Sequence, residues 1–138
     1  MVPYLTENLL SFEDRSAWRQ WLTDHGETEM EVWIVHYKKH TGIPSVTYNE
    51  AVEEALCFGW IDSLIKRIDD TTYKQKFTPR LKKSRWSEKN KRLARILLSE
   101  GRMTSRGLES ITSWINDIPV NKKVRKPAGI PAGPGNKQ

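Results

Sequence analysis

The chain has 138 residues and a formal net charge of +6, a length that builds one compact domain rather than two. Six Trp beside a single Cys exclude a disordered chain, a disulfide scaffold and a Cys-rich zinc module. No run approaches the ~18 to 20 apolar residues of a membrane helix. The start MVPYLTENLL lacks the basic and apolar runs of a signal peptide, so the expectation is a cytoplasmic protein without a membrane span.

In chain order, Ser11 and Asp14 have the spacing of a capping box, and Ala17, Trp18, Trp21 and Leu22 recur at helical intervals up to Gly26, read as a left-handed stop. In EMEVWIVHYKKH, Val32, Ile34 and His36 alternate with Trp33, Val35 and Tyr37. Both faces are largely apolar, which predicts a central strand. Thr47 and Glu50 form a second capping box. It opens a helix with Ala51, Val52, Ala55 and Leu56 inside, Glu50, Glu53 and Glu54 outside, and Gly59 as its stop.

Ile61–Ile68 and Tyr73–Thr78 then alternate as a hairpin around the turn Asp69–Thr72. Ile61, Ser63 and Ile65 are expected on one side of the first strand, and Tyr73, Gln75 and Phe77 on one side of the second. Ser87 caps a helix with Leu93, Ile96 and Leu97 buried, and Gly101 follows. Thr104 caps a last helix, with Met103 and Leu108 at staple positions and Leu108, Ile111 and Ile115 inward. The order α-β-α-β-β-α-α predicts an α+β domain, a two-layer sandwich of helices on a small antiparallel sheet. That domain covers residues 1–118, and residues 119–138 read as a flexible basic Pro/Gly-rich tail.

Charge is segregated. Residues 1–65 carry 4 basic and 11 acidic side chains, residues 66–95 carry 12 and 3, and residues 121–138 carry 5 and none. The interior block, with its Trp, Tyr and Phe, suits an anionic partner.

At EAVEEALCFGWIDSLIKRIDD, YKQKFTPRLKKSRWSEKN and EGRMTSRGL the chain resembles the YdeI family, whose members are often labelled bacteriocin-protection or OmpD-associated and are grouped with a YjbR/CyaY-like superfamily. The resemblance runs through about residues 11–115. It implies an α/β sandwich and no established reaction. Longer members continue into a helical C-terminal segment, where this chain has its Pro/Gly/Lys run. The resemblance thus implies, as an alternative function, a protein-interaction role in protection from toxic peptides.

Cys57 near a helix C-terminus lacks the setting that activates a thiol. His25, His36 and His40 lack zinc-ligand spacing, Asp69 and Asp70 read as a turn, and Ser63 has no G-x-S-x-G frame. The sequence therefore assigns no catalytic residue, cofactor or metal. A small-molecule enzyme or sensor near Cys57, Asp62 and His36 is the weaker alternative.

Trp60, Asp62, Arg67, Tyr73, Arg80, Ser84, Trp86 and Asn90 instead combine guanidinium forks, stacking faces and small donors. They are the expected ligand-binding set for an anion. Lys74, Lys76, Lys82, Lys83 and Arg85 are the expected contacts should that anion be nucleic acid. The reading is a non-enzymatic binding module, its oligomeric state left open.

Overall fold

The computed structural model describes residues 9–81 and 84–115; the expected tail, Lys82 and Lys83 lie outside them. The elements are β1 (Leu9–Leu10), α1 (Arg15–His25), β2 (Val32–Tyr37), α2 (Tyr48–Cys57), β3 (Trp60–Arg67), β4 (Thr72–Pro79), α3 (Glu88–Ser99) and α4 (Ser105–Ile111), with a 3-10 turn at Lys39–Thr41. The helices pack on a four-stranded sheet, the α+β architecture expected. No helix among the described residues is long and apolar enough to cross a membrane.

The strand order is β1-β2-β4-β3, which makes β2 internal as its two apolar faces require. The sheet is mixed rather than antiparallel, because β1 pairs in parallel with β2, Leu9 against Trp33. Two residues carry no readable alternation, which is why this strand escaped the sequence. Across the sheet Val32 faces Phe77, Ile34 faces Gln75 and His36 faces Tyr73, so these residues share one side. The expected Tyr73, Gln75 and Phe77 face is that side.

The helices bury that side. Trp18 packs against Phe77 with the rings tilted by 49° and centroids 5.2 Å apart, and it donates its indole N–H to Ala51 O at 2.9 Å. Leu22, Ala55, Leu56, Trp60 and Leu97 complete the core. Each large buried apolar side chain stabilises the fold by about 1.5–3 kcal/mol. The other side of the sheet carries Trp33, with the ammonium groups of Lys74 and Lys76 at 4.5 and 5.8 Å from its ring. The aliphatic stems let lysines cover an apolar ring while keeping their charge in water.

Several local expectations are corrected. The first helix is capped by Asp14, which accepts from Ala17 N at 2.9 Å, and not by Ser11. Gly26 is right-handed, at φ −63; a side chain is excluded there because a Cβ would lie 2.5 Å from Leu22 O. Ser63 is a bulge between Asp62 and Leu64, which breaks the alternation expected for β3. Asp62, Ile65 and Arg67 therefore share the helix side, and Ile61, Leu64 and Lys66 the other. In α3 the buried positions are Ala94 and Leu97 while Ile96 is exposed, and in the last helix Leu108 is exposed rather than inward. Glu54, expected outside, is fully buried.

The hairpin turn is built on Asp69, whose Oδ1 accepts from the backbone N–H groups of Thr71 and Thr72 and from both hydroxyls, at 2.8–3.1 Å. These bonds favour the carboxylate and bring its pKa down to about 2. A depressed carboxylate stabilises the fold above its unfolded pKa of ~3.9, and the effect fades as pH falls toward the folded value. A carboxyl NMR titration is expected to show Asp69 still ionised at pH 3, where an unperturbed Asp would be mostly protonated. A midpoint near 4 would contradict this turn geometry.

Candidate functional site

A depression of about 570 Å³ lies between the start of α2, the start of β3 and the first turns of α3. Each wall follows from local sequence. The Thr47–Glu50 capping box starts α2 as expected, with both reciprocal bonds at 3.1 Å, and so sets Tyr48 and Asn49 at the rim. Ser87 Oγ accepts from Asn90 N at 3.1 Å and sets the first turn of α3. Tyr48 donates its hydroxyl to Asp62 Oδ2 at 3.2 Å. Burial and the adjacent Asp62 charge raise the Tyr48 pKa, so the phenol stays a donor. Glu53 and Asp62 place acids on the α2–β3 wall, and Lys89 and Arg92 place cations on the α3 wall.

Arg80 stands beside this groove, fixed by its backbone N–H bond to Gly59 O at 2.9 Å. Its guanidinium lies 3.8 Å from the Trp86 ring centroid, a close cation–π contact. Nη2 donates to Arg85 O at 2.8 Å, while Nε and Nη1 are buried and have no acceptor among the described residues. Burial lowers the Arg80 pKa, an effect opposed by the charge of Asp62. Ser84 turns the chain back toward Trp86: its N–H donates to Leu81 O at 2.9 Å and its Oγ accepts from Leu81 N at 3.1 Å. Trp86 packs at 5.0 Å from Trp114 and anchors the loop to the helical layer.

The structure thus gathers Asp62, Arg80, Ser84, Trp86 and Asn90 from the expected ligand set and disperses the rest. Trp60 is fully buried core and donates its indole N–H to Gly26 O at 3.2 Å. Arg67 pairs with Asp70 at the end of the hairpin. Tyr73 stacks on His36 with centroids 4.7 Å apart. Lys74 and Lys76 flank Trp33 on the opposite side of the sheet, Lys76 also pairing with Glu31 at 3.2 Å. Arg85 is exposed. No single surface carries the small-ligand set and these two lysines together.

The weaker enzymatic alternative centred on Cys57, Asp62 and His36. Cys57 is fully buried, and burial raises its pKa even though Arg19 is close enough to oppose the shift, so the thiol form dominates. His36 is buried between two carbonyl oxygens, Val46 O at 2.9 Å from Nδ1 and Gln75 Oε1 at 2.7 Å from Nε2. Burial lowers its pKa. A neutral imidazole has one N–H, which donates to one of these two oxygens. This histidine braces β2 against β4. Among the described residues no cluster of His, Cys, Asp and Glu has the makings of a metal site.

A second polar centre was missed in the sequence. Glu54 Oε2 accepts from Arg15 Nε at 2.7 Å and Oε1 from Arg19 Nη1 at 2.8 Å. Arg102 donates to Oε2 as well. Arg15 reaches on to Glu53 at 2.7 Å, and Arg19 to Arg102 O at 3.0 Å. Burial alone would raise the Glu54 pKa; the hydrogen bonds from Arg19 and Arg15 outweigh it and hold the group below its ordinary value. The cluster ties α1, α2 and the α3–α4 turn together. Its readable signal was positional, for Glu54 falls three residues after Ala51 and one before Ala55, on the inward stripe.

Comparison with known proteins gives one family match. Residues 10–110 fit the model described as "Domain of unknown function (DUF8412)". No curated protein and no solved structure matches the chain. The matched region takes in every element from α1 to α3, the groove and the Glu54 cluster included, and the chain belongs to the DUF8412 family.

Proposed function

We propose that this domain is a non-enzymatic binding module that takes an anionic group, a phosphate or carboxylate, at Arg80 beside the α2–α3 groove. The observation that carries the reading is the Arg80 guanidinium, stacked on Trp86 with two nitrogens lacking a protein acceptor among the described residues. Buried donors without acceptors are costly, and a bound anion supplies the acceptor. The start of α3 beside the groove adds a favourable dipole, and Asn90 a polar contact. The YdeI-like stretches contribute the same α2, β3–β4 and loop residues, which supports a shared binding surface in cytoplasmic proteins of that type.

Because Lys74 and Lys76 lie across the sheet, a small anion fits the site better than a long polyanion. Titrating isotopically labelled protein with inorganic pyrophosphate at low salt is expected to shift the Trp86 indole and Asn90 signals. Arg80→Met should weaken binding at least about tenfold, the loss of one charge-assisted hydrogen bond of ~1.5–3 kcal/mol. A short single-stranded oligonucleotide serves as the second probe. Spectra indifferent to both probes, or binding unchanged in Arg80→Met, would overturn the assignment.

A further inference from the structure

Among the described residues β3 is an edge of the sheet, and from Ser63 to Arg67 every one of its residues is exposed. Leu64 and Ile65 are each 47% exposed, and Ile68, just beyond the strand, 43%. Apolar side chains on both faces of an unpaired edge make a template for another strand. Ile68 donates its N–H to Thr72 O at 3.1 Å. Antiparallel alternation sends the backbone groups of Lys66 and Leu64 the same way, toward β4, and turns those of Ile65 and Arg67 outward.

The bulge decides what a second copy would meet. With Ser63 as the extra residue, Asp62 and Leu64 hold successive ladder positions against Phe77 and Lys76. Let β3 pair antiparallel with itself about a two-fold axis at Ile65. Ile65 then meets Ile65 of the second copy, Leu64 meets the stem of Lys66, Asp62 meets Arg67, and Ile61 meets Ile68. Every pair shares a side of the sheet, and the opposite charges meet twice by symmetry. An axis at Lys66 or Arg67 would instead oppose like charges, and one at Leu64 would leave Asp62 against Ile65.

We propose that the chain forms a two-fold dimer by antiparallel pairing of β3 with β3 of a second copy, joining two sheets into one. The interface is isologous, the same patch on both subunits. Arg67 gives up little on joining it, because its present pair with Asp70 is solvated, with side chains 64% and 93% exposed, and such surface pairs are weak. The competing role for Lys66, Arg67 and the bulge is to protect the edge from pairing, and it predicts a monomer.

Sedimentation equilibrium of the full chain from micromolar to near-millimolar concentration separates the two. The expected mass is twice that of the 16.1 kDa chain at the upper end, with dissociation promoted by salt. Arg67→Asp, at the exposed end of the hairpin, should return the monomer, as should Ile65→Lys, which sets two cations on the axis. The exchange Asp62→Arg with Arg67→Asp should restore the dimer. Circular dichroism confirms folding, and if the exchange variant does not fold, the Arg67→Asp and Ile65→Lys results decide. A monomer at every concentration, or a dimer indifferent to both single substitutions, overturns the proposal.

Discussion

Glu54→Gln is expected to destabilise the domain by about 3 kcal/mol, at the lower end of the ~3–5 kcal/mol lost when one partner of a buried ion pair is removed. The lower end applies because Arg15, Arg19 and Arg102 keep about a third of their side-chain surface, 33%, 34% and 33%, while Glu54 keeps none. They can recover part of their hydration. The neutral amide fills the same volume, so no cavity complicates the result. For a domain of this size the melting temperature should fall by roughly 10 °C. Glu53→Gln is the internal control: its pair with Arg15 is partly exposed at both ends, and its loss should cost under ~1 kcal/mol.

The pH dependence has a defined sign. Glu54 is held below its ordinary pKa, so its contribution is full above the unfolded value of ~4.3 and disappears as pH falls through the lower folded value. The gap between wild type and Glu54→Gln should therefore narrow on acidification through that range. Equal stability of the two chains at pH 7 would show that the arginine cluster does not hold the helices together.

Gly107→Ala is expected to destabilise by about 3 kcal/mol, at the upper end for overpacking, although Ala is the better helix former by ~1 kcal/mol. The reason is the seat of α4. A Cβ at Gly107 would lie 2.2 Å from Cys57 O and 2.7 Å from Cys57 C, and those atoms belong to the backbone. That carbonyl cannot swing aside, since it accepts from Thr104 N at 2.9 Å and Thr104 Oγ1 at 2.6 Å. The substitution must lift the helix off the end of α2 and break both bonds. Urea denaturation reads the effect directly; an alanine variant as stable as wild type would mean that α4 is not seated there.

Much of the fold was legible where a local rule and the tertiary environment agree. The Thr47–Glu50 box, the Ser87 and Thr104 caps, and the alternation of Tyr73, Gln75 and Phe77 all depend on neighbours within a few residues. Features set by distant chain were not legible in the same way. Glu54 looked like one of three outward acids until Arg15, Arg19 and Arg102, remote in sequence, converged on it. Trp60 joined the candidate ligand set because its residue type suits both a stacking face and a core. Its complete burial and its indole bond to Gly26 O decide for the core. Ser63 reversed the sides of half a strand, and no composition rule flags a bulge at a serine. Arg80 and Trp86 are close in sequence and the fold also keeps them close in space, while Asp62 and Asn90 both line the groove.

The strand order also has a meaning in time. The β3–β4 hairpin closes around a tight turn and can zip within microseconds. Pairing of β2 with β4, where Tyr37 meets Thr72, must first close a loop holding all of α2 and β3. Such non-local contacts carry the loop-closure entropy that slows folding. Until β2 arrives, the inner edge of β4 is as open as the outer edge of β3, and the half-made sheet offers two templates where the finished one keeps its long exposed edge only at β3.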